Sequence, residues 1–173
     1  PSVVVIGGGT GLSVLLRGIK LITNNCTAVV TTADDGGSSG RLRKELGILP
    51  PGDMRNCLVA LSDTEPLMEK VMQYRFKSSA LSGHNLGNLF IAAMSDVEGG
   101  DMEKGIAATC EILKVRGHVW PNTTDNIQLK ALMDDGSTVI GESSITASPH
   151  KIVKLMTEPE NPRASQRAVD AIL

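Results

Sequence analysis

The sequence predicts an α/β protein, a Rossmann-like three-layer parallel sheet with helices on both faces and a small antiparallel hairpin excursion. Three observations predict it. Residues 3–6 are a continuous apolar run ending in Gly7, the pattern of a strand buried on both faces. Leu12, Leu15, Leu16 and Ile19 then recur at helical spacing, so strand, glycine turn and helix follow without a gap. Residues 26–32, rich in β-branched side chains, complete a βαβ unit of about 30 residues. The right-handed crossover rule makes this second strand parallel to the first.

Further along, residues 33–53 are rich in Gly, Ser and Pro, too long for a plain connection and so expected to be a functional loop. Helices are expected at 54–61, 66–75, 86–95 and 102–113. Ile127, Leu129, Ala131 and Met133 alternate, as do Val139, Gly141 and Ser143, around Asp135-Gly136. That pattern predicts a hairpin with a type I′ turn. Residues 151–157 read as another strand, so the antiparallel excursion spans about 117–157. Residues 163–173 form an amphipathic helical pattern on Ala164, Ala168, Val169 and Ile172 with no stop signal after it. One domain over 1–173, incomplete at its C-terminal end, is the expectation.

The 173 residues are 41% hydrophobic with a formal net charge of −2, enough apolar content for a sizeable core. A near-neutral chain lacks the broad basic surface of a nucleic-acid binder. No apolar run approaches the roughly 20 residues of a membrane span. No charged-then-apolar leader opens the sequence, and the three cysteines are scattered in apolar contexts, as in reduced proteins; a cytoplasmic location is expected. Four aromatic residues are too few for a base-stacking platform. His118 and His150 lack ligand-spaced partners for a structural zinc.

Four segments carry residues suited to chemistry. The first is Gly7, Gly8, Gly9, Thr10 and Gly11, between strand and helix. Bare N–H groups at a helix start can receive a phosphate there. Leu12 stands where a dinucleotide fingerprint has its third glycine, and no Walker lysine follows.

The second runs Asp34, Asp35, Gly36, Gly37, Ser38, Ser39, Gly40, Arg41. Asp34 lies 23 residues after Gly11, near the offset of about 20 at which an acidic residue reaches a ribose hydroxyl. The adjacent Asp34 and Asp35 also suit Mg²⁺, which takes few carboxylates plus substrate phosphates. The glycines offer an anion nest, and Arg41 and Arg43 a charge that forks onto phosphate. A solvated acidic turn is the plainer alternative.

In the third segment Asp53 either caps the following helix or serves a ligand, with Arg55 and Asn56 one turn in. In the fourth, His84 begins a helix among small polar residues, and either donates to a phosphate or is structural. Asn85 and Asn88 are candidate readers of a base or sugar.

These segments, in this order, resemble the CofD-like superfamily, most closely its YvcK branch, the gluconeogenesis factors. The resemblance is carried by GGGTGLSVLLRG at 7–18, ADDGGSSGRLR at 33–43, PPGDMRNCLVAL at 50–61 and GHNLGNL at 83–89. PNTTDNIQLKA at 121–131 and GESSI at 141–145 extend it over essentially the whole sequence. Asn85 stands where the family usually has Ser, and Trp120 where an aliphatic residue is usual. A second glycine-rich GPGS segment is expected after Leu173.

The resemblance implies a cytoplasmic Rossmann-like binder of nucleotide sugars, UDP-N-acetylglucosamine above all, supporting cell shape and wall synthesis in bacteria on gluconeogenic carbon. The CofD branch instead transfers phospholactate to a deazaflavin with Mg²⁺, and Asp34 and Asp35 match its acidic pair. The leading expectation is a regulatory binder with no required cofactor, Mg²⁺ being an option at Asp34 and Asp35. No nucleic acid, no membrane insertion and a homo-oligomer are expected. Phosphate falls to Gly8, Gly9, Thr10 and Gly11, and Arg41, Arg55, His84 and Asn88 close the anion's surroundings.

Overall fold

In the computed structural model, residues 1–64 and 66–173 are described. Strand β1 (Val3–Gly7) leads through the glycine turn into helix α1 (Gly9–Ile19) and back to β2 (Cys26–Val30). β1 and β2 pair in parallel, Val3 opposite Cys26 and Gly7 opposite Val30. A third strand, β3 (His118–Pro121), pairs in parallel on the far side of β2, giving the order β1-β2-β3. All five residues of β2 are buried, so both faces of the sheet are covered where it runs.

Helices α2 (Gly37–Leu46), α3 (Gly52–Leu61), α4 (Pro66–Gln73), α5 (Leu86–Val97) and α6 (Met102–Ile112) lie between β2 and β3. Of these α3 is apolar all round from Cys57 onward. Met54, Cys57, Leu58, Val59, Ala60 and Leu61 are all buried and join β2, α1, α5 and α6 in one core. Leu12 and Leu16 anchor α1 to that core, whereas Leu15, expected on the same stripe, faces outward.

A second sheet of order β5-β4-β6 is antiparallel, from β4 (Gln128–Met133), β5 (Thr138–Ile140) and β6 (Ile152–Glu158). Its small core is Ala131, Met133 and Ile145. Helix α7 (Glu142–Ala147) follows β5, and α8 (Gln166–Ile172) ends the chain. Arg167 of α8 lies 4.4 Å above the Trp120 ring of β3, and His118 stacks on the ring at 5.8 Å.

The α/β class with a helix-flanked parallel sheet and a small antiparallel sheet is therefore as the sequence predicts. Four local expectations are corrected. Residues 37–46 are helical rather than loop, because α2's first turn packs against its surroundings: Ser39 Oγ accepts from Gly52 N–H and Ser38 Oγ from Asn85 N–H. Residues 118–121 belong to the parallel sheet, not to the antiparallel excursion.

The alternation through Val139, Gly141 and Ser143 is broken at Gly141. Its φ of +97° turns the chain out of β5 and into α7. Finally, the β4–β5 turn is not type I′. Gly136 N–H donates to Met133 O and only Gly136, not Asp135, has positive φ, the pattern of a three-residue loop with a glycine bulge.

Candidate functional site

The second and third segments and Asn88 of the fourth meet beyond the carboxyl end of β2, whereas Gly8, Gly9, Thr10 and Gly11 do not line the cavity they form. A cavity of about 260 Å³ there is lined by Asp34, Gly36, Gly37, Ser38, Ser39, Gly52, Asp53, Arg55, Asn56, Arg75 and Asn88. Ten of these eleven were singled out from the sequence or stand within a segment that was. Arg75 alone was missed, since it follows an ordinary amphipathic helix with no glycine context to mark it.

The floor is built from two helix starts. α2 begins after Gly36 with no side chain capping it, and Gly37 has φ of +50° with open space where a Cβ would stand. α3 begins after Pro51, and its first turn brings Asp53, Arg55 and Asn56 to the cavity. The helices meet at Gly52: a Cβ there would lie 2.4 Å from Ser39 Oγ and 3.2 Å from Asp34 Oδ2. Only glycine permits that approach. Gly87 does the same for the Arg55 stem, where a Cβ would come within 2.7 Å of its Cδ.

Asp53 does not cap its own helix. Its Oδ2 accepts the Gly9 N–H at 2.7 Å, so the first amide of α1 already faces an anion. Burial pushes the Asp53 carboxyl up and Asp34 adds to this, while the Gly9 bond and Arg55 oppose it. Glu142 is raised by burial and by Asp34, Asp53 and Asp35, which marks a concentration of negative charge on this side.

The two adjacent aspartates diverge. Asp34 Oδ1 accepts from Gly36 N–H at 2.8 Å, and its residue lines the cavity. Asp35 Oδ1 accepts from both the Ser143 N–H (2.9 Å) and hydroxyl (2.6 Å), tying α7 to the loop after β2. Burial raises the Asp35 carboxyl, but the Ser143 bonds and the Arg43 charge outweigh it and hold it below its ordinary value. Of the pair, Asp34 fits a cavity cation, joined by Asp53 rather than by Asp35. Such an ion would supply positive charge against phosphate oxygens.

Arg43 lies beneath both aspartates, 7% exposed, and donates to Ile127 O. Burial lowers its pKa while Asp35 and Asp34 raise it.

The remaining sequence candidates support or border the cavity. His84 is buried, its Nδ1 3.3 Å from Ser38 Oγ, and Asn85 caps α5 by accepting from Asn88 N–H at 3.1 Å. Arg41 donates to Ser82 O at 2.8 Å. Thr10 and Gly11 are exposed in α1's first turn.

A larger cavity, about 840 Å³, lies between α2's end, α5 and α6, lined by Leu49, Leu89, Ser95, Asp96, Asp101 and Glu103 among others. It holds carboxylates and no cationic lining residue, which suits an anion poorly. Among the described residues, one group of three potential metal ligands converges: Asp134 and Asp135 on the β4–β5 turn and His150 just before β6, all exposed. Spacing alone hid it, since the pairing of β6 with β4 brings His150 within 3.3 Å of both carboxylates.

The fold and the site together define an α/β protein with an anion- and cation-lined pocket at two helix starts. A family model described as 2-phospho-L-lactate transferase CofD matches residues 3–173, and the chain belongs to the CofD family, in its YvcK-type branch. A Nostoc relative is 55% identical over 99% of this chain and 38% of its own length. The gluconeogenesis factors of Halalkalibacterium halodurans and Bacillus subtilis are 52% and 49% identical over 99% of this chain. The chain covers 53% and 54% of those two proteins. The crystal structure of protein BH3568 from Bacillus halodurans superimposes with a TM-score of 0.94 at 51% identity, over 99% of this chain and 55% of that one. The chain thus spans between 38% and 54% of the length of the Nostoc, Halalkalibacterium and Bacillus subtilis relatives.

Proposed function

We propose that the protein is a cytoplasmic, regulatory binder of a nucleotide sugar of the UDP-N-acetylglucosamine type, acting as a gluconeogenesis factor that supports bacterial cell shape and wall synthesis. One observation carries this reading: the cavity that gathers Asp34, Asp53, Arg55, Asn56 and Asn88 at two helix starts. Carboxylates there suit sugar hydroxyls or a cation, and arginines with free helix amides suit phosphate. The names of the relatives support the gluconeogenic part. A volume of about 260 Å³ is below the usual range of about 300–1,000 Å³ for a whole ligand, so only one end of a nucleotide sugar is held here.

The test is thermal stabilisation of the full-length protein. At equal concentrations UDP-N-acetylglucosamine should stabilise the protein more than NAD does, reaching about 2.7 kcal/mol at 100 times its own dissociation constant. Equal or greater stabilisation by NAD would refute the reading.

The acidic side of the cavity favours a second reading, a Mg²⁺-dependent phospholactate transferase acting on a deazaflavin, which the family model also accommodates. Turnover of about 1 per second or faster with donor, acceptor and Mg²⁺ would establish it over the first.

A further inference from the structure

Two residues lining the small cavity carry a buried polar atom without a partner. Asn88 is 2% exposed; its Nδ2 reaches Ser39 Oγ only at 3.5 Å, and its Oδ1 is unpaired. Arg55 Nε is likewise unpaired, though its Nη2 donates to Asn56 Oδ1 at 2.9 Å. Buried groups of this kind are few in folded proteins and call for a partner. One is an acceptor and the other a charged donor, so a single partner for both must offer a hydroxyl and an anion.

The surroundings agree on the anion. Arg75 stands close enough to Arg55 for the two charges to oppose each other. One Arg75 nitrogen donates to Gly83 O at 2.6 Å, and among the described residues neither arginine forms an ion pair. The ten-residue helix α2 points its uncapped start into the same space. By contrast, the Gly9 amide at the start of α1 is taken by the Asp53 carboxylate, and a second anion there would press against it.

The geometry points to a phosphate-ester subsite between the first turn of α2, Arg55 and Arg75, with Asn88 Oδ1 accepting from a hydroxyl of the same ligand. The glycine turn before α1 is then not the phosphate seat. The ligand class is a sugar phosphate, free or as the end of a nucleotide sugar. This assignment rests on the reading of the cavity as a ligand site, and adds which residues hold which group.

Calorimetric titration of the full-length protein with inorganic phosphate, glucose 1-phosphate and UDP-N-acetylglucosamine tests it. Native protein should bind glucose 1-phosphate more tightly than phosphate, because only the ester carries sugar hydroxyls that reach Asn88 while its phosphate group sits at the arginines. Arg75→Ala, at an exposed position outside the core, should weaken both by about tenfold to a hundredfold. Asn88→Ser should weaken the ester and leave phosphate unchanged.

Unaltered affinity for both probes in Arg75→Ala overturns the subsite, as does native protein that binds neither. UDP-N-acetylglucosamine bound equally by native protein and Arg75→Ala would sink the subsite and leave the proposed function standing. Glucose 1-phosphate bound in an Arg75-dependent way, with no binding of the nucleotide sugar, would support the subsite and sink the proposed function.

Discussion

Asp53 and Gly9 are joined across 44 positions of sequence by a 2.7 Å bond from the Gly9 amide to the Asp53 carboxylate. A half-buried acid on the first turn of one helix thereby caps another. Its net pKa is raised, burial being the largest cause. A carboxyl with a folded pKa above its unfolded value contributes stability that is present below the unfolded value, near 3.8, and lost as pH rises through the folded one. Asp53→Asn keeps an acceptor and removes the charge. Its melting temperature relative to native should therefore move upward from about pH 4 to about pH 7. A difference that is flat across that range, or that falls, contradicts the assignment.

Asp34 and Asp35 should separate cleanly on mutation. Asp35→Ala removes the acceptor of two Ser143 bonds at the start of α7 and should cost about 1–2 kcal/mol of stability. Asp34→Ala should cost less than that and weaken ligand binding instead. Denaturant melts paired with ligand titrations would show it, and equal stability losses would count against the division of roles.

Arg43→Met should destabilise by at least about 2 kcal/mol, because it orphans the Ile127 carbonyl and leaves Asp35 without its counter-charge. Urea unfolding should show a lower midpoint with an unchanged slope. A loss under about 0.5 kcal/mol would mean that the buried charge does nothing for the fold.

The two glycines Gly11 and Gly40 should respond with opposite signs. A Cβ at Gly11, inside α1, meets nothing within 4 Å, so Gly11→Ala should stabilise by about 0.5–1 kcal/mol. At Gly40 a Cβ would lie 1.9 Å from the Asp35 carbonyl, so Gly40→Ala should lose more than that gain. Thermal melts of both variants decide it.

Burial pushes the Cys57 thiol up to about 12 and Cys110 to about 11, and raises Cys26 as well. At pH 8 about one Cys57 in 10⁴ is a thiolate. Iodoacetamide should label none of the three at an appreciable rate until the protein is unfolded. Fast labelling of native Cys57 would refute this.

The parts legible in the sequence were those where one local signal dominates. The run at 3–6, the glycine turn and the run at 26–32 specify β1–α1–β2 because an apolar strand and an amphipathic helix each bury a face unaided. α2 was hidden because Gly37, Ser38, Ser39 and Gly40 are poor helix formers, held helical by contacts with Gly52 and Asn85 far along the chain. β3 was hidden because four residues ending in proline carry little strand signal, and pairing with β2 decides the matter.

At the site, glycine-flanked polar residues named most of the cavity lining. Arg75 and the divergence of Asp34 from Asp35 depend on which side chain another segment reaches first. No local pattern encodes that.

The cavity is walled unequally, and the inequality sets how it can open. Asp53, Arg55 and Asn56 ride on α3, whose amides sit in the centre of the core and should exchange with solvent only when the whole molecule unfolds. Arg75 follows α4, where Met72 alone is buried, and its surroundings at 77–82 are exposed. That side should open with far less free energy, on its own, without disturbing the floor. A ligand would then enter past Arg75 and leave the same way, and its residence time would be set by the cheaper wall.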